Sequence, residues 1–354
     1  MAYSSRRPDP DPPRRSSRLL LGAILLLCLT IAPAVQAQDA GAGAFARLGF
    51  GARGIALGNA LLADPSADIS TYYNPALATQ ASEQRLAASA ALMSFDRELQ
   101  FLEFTTPVGP TAGLGFGLIH AGVSGIDGRD RNGNRTEELS TDEFNVFFAF
   151  GNRFAERFRV GATLQLYQAD YLEQTQAART FALDLGTVVD VTDNLHVGLV
   201  VSDLLAKYEW NSAGGGRTNT DRFPLRVRAG ASYTLLEGRL QLLGEIESRT
   251  TQRDLRQREI VLTTGGPQTR LTEEQRQVHG LRARLGARYR ALDILSFRAG
   301  VDRIGVDDAT GLRPSAGFGL RQTIGNLDLR IGYAIVLEPY VRDAMNLATL
   351  EIYL

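Results

Sequence analysis

The sequence predicts an exported all-β protein, an antiparallel transmembrane β-barrel of about fourteen strands. Three observations predict this fold class. The chain begins with an apolar leader, apolar and polar residues then alternate with a period of two, and the predicted strands are joined by connections that alternate between short and long. Each observation is justified below in chain order.

The first 37 residues have the pattern of a secretory signal peptide. An arginine-rich start is followed by the apolar stretch 19–34, and Val35 and Ala37 supply the small residues that signal peptidase requires. The apolar stretch is shorter than the roughly 20 residues of a spanning helix, so we expect cleavage rather than an uncleaved anchor. Cys28, the single cysteine, lies in this leader, and the mature chain would contain no disulfide.

Short blocks of alternating apolar and polar residues begin near residue 84. In the block that starts at Leu281, leucine and alanine at odd positions alternate with arginine at even positions. Most blocks are as long as a tilted transmembrane strand, which needs about 9–11 residues. The predicted strands are 84–94, 98–106, 112–121, 142–153, 158–169, 180–189, 195–204, 224–235, 240–248, 277–290, 295–301, 315–323, 327–336 and 346–354.

The connections between these strands alternate in length. The short ones are 107–111, 154–157, 190–194, 236–239, 291–294 and 324–326, and the longer ones include 122–141, 205–223, 249–276 and 302–314. Short periplasmic turns and longer outer loops are typical of outer-membrane barrels. A soluble β-sandwich would also explain the period of two, but not its combination with this alternation and a signal peptide.

A barrel also determines where the strand charges lie. An arginine that faces lipid at the membrane midplane costs roughly 2–4 kcal/mol, so arginines that alternate with apolar residues are expected to face the lumen. The predicted lumen-facing arginines are Arg226, Arg228, Arg282, Arg284, Arg288, Arg298 and Arg330. Acidic residues on the same strand faces, including Asp184, Glu245, Glu247, Asp302 and Glu351, predict paired charges in the lumen.

Aromatic residues near strand ends, such as Tyr167, Tyr208, Trp210 and Tyr289, are candidates for interfacial girdles or ordinary strand positions.

Composition excludes several classes of function. With 38 basic and 39 acidic side chains, the net charge of −1 gives no electrostatic basis for nucleic-acid binding. Three histidines and one cysteine leave little material for metal or thiol chemistry, and we predict neither a cofactor, nor a metal, nor catalytic residues. Gly49–Gly54 matches G-x-G-x-x-G without the flanking βαβ unit of a dinucleotide site. Asp130–Asn134 resembles a calcium loop, but its glycine is misplaced and a turn is expected.

Residues 41–83 depart from the barrel pattern and are rich in glycine, alanine and aspartate. Gly51–Ala60 is followed by Asp64 and Asp68, and then by Tyr72–Ala78, which contains Asn74-Pro75-Ala76. This opening resembles the PorV/PorQ family, within the wider superfamily of FadL-type outer-membrane transporters. In that family a stretch of the form ARxxGMGGA…DDA.A.YxNPAxLA precedes a fourteen-stranded barrel. Here Leu57-Gly58-Asn59 replaces Met-Gly-Gly, and the paired acids are separated.

The resemblance implies a domain organisation with a signal peptide over 1–37, a hatch segment over 38–83 and a barrel over 84–354. In FadL-like proteins the hatch is inserted into the lumen. Asn74, Pro75 and Ala76 are then the hatch motif, although they would also make a plain turn into the first strand, and the two roles are compatible.

Two functions follow from the resemblance. A PorV/PorQ-like protein would be an accessory or shuttle component of type IX protein secretion, with secreted proteins and a translocon as partners at the outer loops 122–141 and 249–276. A FadL-like protein would be a channel for hydrophobic small molecules such as long-chain fatty acids. A purely structural barrel would need no site. Each alternative implies a location in the cell outer membrane, in contact with its lipids.

Overall fold

The structure, a computed structural model, describes residues 41–66, 71–171, 177–211, 218–263, 266–305, 311–325, 327–338 and 343–354. The predicted signal peptide lies outside the described residues, as do residues 38–40 and 67–70 of the predicted hatch. No helix within the described ranges is long and apolar enough to cross a membrane.

Fourteen strands of the described chain close into an antiparallel barrel, which confirms the fold class that the sequence predicts. They are β1 (Arg85–Leu92), β2 (Arg97–Val108), β3 (Ala112–Arg129), β4 (Arg135–Ala155), β5 (Phe158–Asp170), β6 (Ala178–Asp190), β7 (Leu195–Leu204), β10 (Leu225–Leu235), β11 (Leu240–Thr263), β12 (Gly266–Leu292), β13 (Leu295–Ile304), β14 (Arg313–Ile324), β15 (Leu327–Glu338) and β16 (Asp343–Tyr353). A separate hairpin, β8 (Lys207–Asn211) and β9 (Thr218–Arg222), lies in the β7–β10 connection. The barrel closes where β1 pairs with β16, with Ser89 opposite Thr349.

Side chains alternate across the barrel wall as the strand period requires. Along β1, Arg85, Ala87 and Ser89 are buried, whereas Leu86 and Leu92 are exposed on the other face. The same alternation continues around the barrel and gives an outer surface of large apolar side chains. These include Phe116, Leu164, Leu285, Phe297 and Ile331. A continuous apolar outer face matches the lipid-facing band of a membrane barrel.

The connections define two ends of the barrel. The turns that follow β2, β4, β6, β10, β12 and β14 lie at the short-turn end, where β1 also begins and β16 ends. The other connections lie at the opposite, long-loop end.

Two segments that the sequence predicts as outer loops are largely strand. β11 and β12 remain paired as far as Thr263 and Gly266, and β3 and β4 extend well into the predicted loop 122–141. The alternation of apolar and polar residues ends where the strands extend beyond the apolar band of the outer face. Backbone pairing continues there because it does not depend on apolar side chains. Sequence patterning therefore locates the spanning part of these strands and misses their extensions.

The Asp130–Asn134 segment forms the turn between β3 and β4, as expected. The Asp130 carboxylate accepts hydrogen bonds from the Asn132 and Asn134 amides at 2.8 and 2.9 Å, and from the Asn134 side chain at 3.0 Å. These bonds, the Asn134 side chain's foremost, hold the pKa of the Asp130 carboxyl below its usual range. The carboxylate thus closes an Asx-type turn.

Residues 41–66 and 71–83, here called the plug, pack inside the ring of strands. The helix α1 (Gly51–Ala56) contacts β13–β16 and β1, and the 3₁₀-helix Pro75–Gln80 contacts β2–β6. A second 3₁₀-helix, Phe45–Arg47, precedes α1. The plug therefore spans the lumen from one wall to the other.

Wall glycines bring the strands into close contact with the plug. A Cβ atom on Gly300 would lie 2.2 Å from the Gly58 nitrogen, and one on Gly161 would lie 2.4 Å from the Pro75 carbonyl carbon. Both neighbours are backbone atoms, so neither position has room for any side chain. The plug and the wall are therefore fitted to each other at the level of the backbone.

We predict that Gly300→Ala lowers the free energy of unfolding by about 1–3 kcal/mol, because the added methyl group must displace the plug backbone. Gly244→Ala is the matched control, since its nearest neighbour would be the Leu285 Cδ2 atom at an ordinary 3.6 Å. The measurement is thermal unfolding of the detergent-solubilised barrel by circular dichroism. Equal melting temperatures for the two variants would contradict the packing argument.

Candidate functional site

The lumen holds the candidate site, and Asn74 fixes the plug within it. Asn74 has an extended backbone and caps the Pro75–Gln80 helix, with its Oδ1 accepting from the Ala76 amide at 3.0 Å. Proline suits the first helical position because it has no N–H to satisfy. The Asn74 Nδ2 donates to the Leu62 carbonyl at 2.9 Å and to the Thr187 carbonyl of β6 at 3.1 Å. The motif therefore forms a helix cap and also anchors the plug to the wall.

Tyr73 and Gly54 connect the two halves of the plug. The Tyr73 hydroxyl accepts a hydrogen bond from the Phe50 amide at 3.0 Å and lies 2.8 Å from the Phe50 carbonyl oxygen. A Cβ on Gly54 would lie 1.9 Å from the same hydroxyl oxygen, so glycine is required beside this tyrosine. This contact explains a glycine of the N-terminal motif in terms of packing.

Arg284 of β12 is the centre of a buried charge network in the lumen. Its guanidinium donates to Asp302 at 2.9 Å, to Glu247 at 2.7 Å and to Glu245. The Arg282 Nη2 atom lies 2.8 Å from Glu247 Oε1, whereas Arg284 binds Glu247 Oε2. These side chains are at most 9% exposed. Burial of charges at this depth is tolerated because each one is paired.

Further charges of the lumen bind the plug to the wall. Arg228 donates to the Tyr73 carbonyl at 2.8 Å, and the Asn59 side chain donates to Asp302 at 3.3 Å. Within the plug, Arg53 pairs with Asp64 at 2.5 Å. The plug is thus held to the wall by hydrogen bonds with charged wall side chains as well as by its close fit at the wall glycines.

The seven arginines predicted to face the lumen fall into two groups. Arg226, Arg228, Arg282 and Arg284 are buried at the level of the plug, where Arg226 donates to Asp203 at 2.8 Å. Arg288, Arg298 and Arg330 lie nearer the short-turn end and line a cavity there. The structure therefore does not bring all seven together in one site.

An aromatic cluster fills the lumen between the plug and the long-loop end. Its buried rings are Phe45, Phe50, Phe101, Phe147, Tyr167, Tyr208 and Phe223, and Tyr72, Tyr171 and Trp210 lie at its edges. Phe50 of the plug stacks on Phe101 of β2 with ring centroids 5.2 Å apart. At the far end, Tyr208 of the β8–β9 hairpin meets Phe223 edge-on at 4.9 Å. The cluster is continuous from the plug to the long-loop end.

Sequence analysis did not find this cluster. It placed Tyr167 and Tyr208 among candidates for the membrane girdles, whereas both are at most 2% exposed inside the barrel. Tyr289 does lie on the outer face. The position of Phe101, two residues from the buried Glu103 on the same strand face, was a signal that could have located the inward aromatics.

The histidines lie on the wall or its extensions, each beside a polar side chain. His120 and His196 lie 2.9 and 2.6 Å from Asp142 and Asp190, and the His279 ring lies 3.0 Å from the Thr250 hydroxyl. Within the described part of the chain, no group of three or more His, Cys, Asp or Glu side chains is placed to hold a metal ion.

Comparison with solved structures identifies the architecture. The toluene transporter TodX of Pseudomonas putida matches with a TM-score of 0.57 and 14% identity over 86% of this chain and 96% of its own. A FadL homologue of Pseudomonas aeruginosa matches with a TM-score of 0.55 and 13% identity over 86% and 98%. The fold is that of a FadL-like outer-membrane barrel.

A third similar structure is the monoaromatic hydrocarbon channel CymD, with a TM-score of 0.53 and 14% identity over 86% of this chain and 96% of its own. No protein-family model and no curated protein sequence gives a significant match to the chain. At these identities the similarity concerns the fold.

We predict that Asn74→Ala loosens the plug, because the Leu62 and Thr187 carbonyls lose their shared donor. Leaving such buried groups unsatisfied costs about 1–3 kcal/mol. Hydrogen–deuterium exchange of peptides covering 71–80 should therefore accelerate. Asn194→Ala, at an exposed turn of the short-turn end, is the control and should leave this exchange unchanged. Identical exchange in the two variants would rule out the anchoring role.

We also predict that Arg284→Met destabilises the barrel by about 3–5 kcal/mol, since it leaves buried carboxylates without their shared partner. Arg129→Met is the control, because Arg129 is 59% exposed and its pair with Asp127 lies at the surface, where such pairs contribute about 0–1 kcal/mol. Urea unfolding in detergent measures both. The idea fails if the two variants lose similar stability.

Proposed function

We propose that the protein is a channel for the uptake of hydrophobic small molecules across the outer membrane. The observation that carries this proposal is the aromatic cluster, which fills the lumen between the long-loop end and the plug. Apolar ligands bind in sites lined mainly by aromatic and aliphatic side chains with a few polar groups. The Tyr167 hydroxyl, bonded to Gln165 at 2.9 Å, is one such polar group at the cluster.

The similar structures support the same proposal. TodX is a toluene transporter and CymD a monoaromatic hydrocarbon channel, and both have this fold. Flat aromatic rings pack well against aromatic side chains in stacked or edge-on arrangements, which are the arrangements already present in the cluster. We therefore expect small apolar and aromatic compounds to be better substrates than polar ones.

Neutral compounds fit the lumen better than long-chain fatty acids, which the sequence also allowed. Arg226 follows Phe223 of the cluster closely in the chain, and its guanidinium is already bonded to Asp203 at 2.8 Å. A fatty-acid carboxylate at this position would have to compete with a buried aspartate. A neutral molecule meets no such competition.

The plug must move for transport to occur. Phe45 and Phe50 of the plug belong to the aromatic cluster, so a ligand that enters the cluster displaces or repacks them. We propose that residues 38–83 act as a hatch, that residues 1–37 are a cleaved signal peptide, and that outer-membrane lipids cover the apolar outer face.

The type IX secretion hypothesis has no comparable support. It placed partner binding at the loops 122–141 and 249–276, much of whose backbone is paired strand in β3, β4, β11 and β12. Two of the similar structures named above, TodX and CymD, are a toluene transporter and a monoaromatic hydrocarbon channel. Loss of surface display of exported proteins after gene deletion would revive that hypothesis.

A reversible lock on the plug tests the proposed function. A Cβ on Gly230 of β10 would lie 3.5 Å from the Leu62 Cβ, within the range of about 3.5–4.5 Å for a disulfide. We predict that Leu62→Cys with Gly230→Cys blocks toluene uptake when oxidised and regains it on reduction. Uptake is measured in cells that lack other hydrocarbon channels.

The two single-cysteine variants are the controls, and their uptake should not respond to reductant. Failure of the unmodified protein to increase toluene uptake over cells without it would refute the channel. Equal uptake by the oxidised and reduced double variant would refute movement of residue 62, and with it this form of gating.

A further inference from the structure

Two buried polar groups at the aromatic cluster have no hydrogen-bond partner among the described residues. One is the Tyr208 hydroxyl, and the other is the Oδ1 atom of Asn145. Both side chains are 0% exposed, so water does not take the place of the absent partner. Leaving a buried polar group unpaired is costly, and each instance in a folded protein calls for an explanation.

The hydrogen bonds around Gln165 determine which atom of the Asn145 amide is unpaired. The Asp184 carboxylate accepts from Gln165 Nε2 at 2.8 Å, which fixes the orientation of the Gln165 amide. Gln165 Oε1 then accepts from the Tyr167 hydroxyl at 2.9 Å and from Asn145 Nδ2 at 3.1 Å. The Asn145 donor is therefore used, and its Oδ1 is left as an unpaired acceptor.

The Tyr208 hydroxyl and Asn145 Oδ1 border the same group of rings. The strand register places Asn145 of β4 directly opposite Ile119 of β3 and Tyr167 of β5, which are buried members of the aromatic cluster. The Tyr167 ring lies 4.8 Å from Phe223, and Phe223 lies 4.9 Å from Tyr208. A ligand that enters these rings therefore meets two unpaired polar groups in otherwise apolar surroundings.

The plug covers this part of the cluster. Phe45 packs edge-on against Tyr167 with ring centroids 6.2 Å apart, and a Cβ on Gly43 would lie 2.2 Å from the Phe223 Cε1 atom. Movement of the plug, which the proposed function requires, withdraws the Phe45 ring and opens space beside Tyr167. A compound with one aromatic ring has the size of the ring that it replaces there.

We propose that the preferred substrate is a phenol, a neutral aromatic compound whose hydroxyl group binds Tyr208 near the long-loop end and Asn145 on the wall. This inference rests on the proposed function and names its substrate class. Asn145 Oδ1 only accepts, whereas the Tyr208 hydroxyl donates or accepts. A phenolic hydroxyl does both, a hydrocarbon does neither, and an ether only accepts. Sites that hydrogen-bond a substrate hydroxyl discriminate against analogues that lack it, because the buried groups are then left unpaired.

Trp210, the single tryptophan of the chain, gives a direct measurement of ligand binding. Its ring lies 5.5 Å from that of Tyr208, so a ligand in the cluster should change its fluorescence. The full mature chain in an uncharged detergent is titrated with p-cresol, p-methylanisole and toluene. These compounds share a methyl-substituted ring and differ in the hydroxyl group. Each ligand is compared between variants, so that its partition into micelles cancels.

We expect Tyr208→Phe and Asn145→Leu each to weaken the binding of p-cresol at least about fivefold and to leave the binding of toluene unchanged. Binding of p-methylanisole should not respond to Asn145→Leu, because this ether has no donor for Oδ1. Tyr289→Phe is the matched control, since it removes a hydroxyl from the outer face, where Tyr289 is 45% exposed. It should leave all three affinities unchanged.

Thermal unfolding distinguishes a ligand-binding hydroxyl from a structural one, and it keeps the test decisive if Asn145→Leu does not fold. Tyr208→Phe removes an unpaired group, so its melting temperature should equal or exceed that of the unmodified protein. Tyr171→Phe removes a hydroxyl that donates to Glu143 at 2.6 Å, and it should melt at a lower temperature. Equal lowering in the two variants would show that the Tyr208 hydroxyl has a structural partner, which overturns its role.

The outcomes separate this inference from the proposed function. Unchanged binding of p-cresol in one variant overturns the role of that residue. Unchanged binding in both, or an equal loss of p-cresol and toluene binding, overturns the phenol assignment. Toluene uptake by cells without selectivity for p-cresol retains the channel and refutes this inference alone. Selective binding of p-cresol without uptake of either compound retains the binding site and refutes the channel.

Discussion

Pairing between β1 and β16 closes the ladder of backbone hydrogen bonds, and the arrangement of the lumen depends on this closure. Inside a membrane an open edge would leave N–H and C=O groups without partners, at a cost of several kcal/mol each. Closure removes the edges and gives every strand a fixed inward face. The arginines, the wall glycines and the inward aromatics occupy the lumen because they share that face.

The lumen is divided into layers along the barrel axis. Aromatic side chains fill the part nearest the long-loop end, and the plug occupies the middle, held by backbone contacts at Gly161 and Gly300 and by the network around Arg284. An arginine-rich cavity lies at the short-turn end. Three layers of different composition therefore follow one another along the barrel axis, and the plug separates the aromatic layer from the arginine-lined cavity.

Period-two patterning predicted the spanning strands closely because the apolar outer face repeats on every one of them. It missed the extensions of β11 and β12, where the residues outside the apolar layer no longer alternate while the backbone pairing continues. The candidate site was harder to predict from the sequence. Asn74 bonds to Thr187, 113 positions away, and no local pattern reveals that contact. In the sequence, Tyr208 looks like an aromatic residue of a membrane girdle. It is buried in the lumen because the β8–β9 hairpin folds inward, and the sequence pattern does not show this fold.

The pairing of Ser89 with Thr349 across 260 residues also constrains how the protein folds. Contacts of such long separation form late, since the intervening chain must be ordered before they can be made. The barrel cannot close before β16, the last eleven-residue strand, is available, and until then β1 remains an exposed edge. The plug precedes β1 in the chain and is already present when the seam forms. The wall can therefore close around the plug as this seam forms, and the plug has no need to thread into a finished pore.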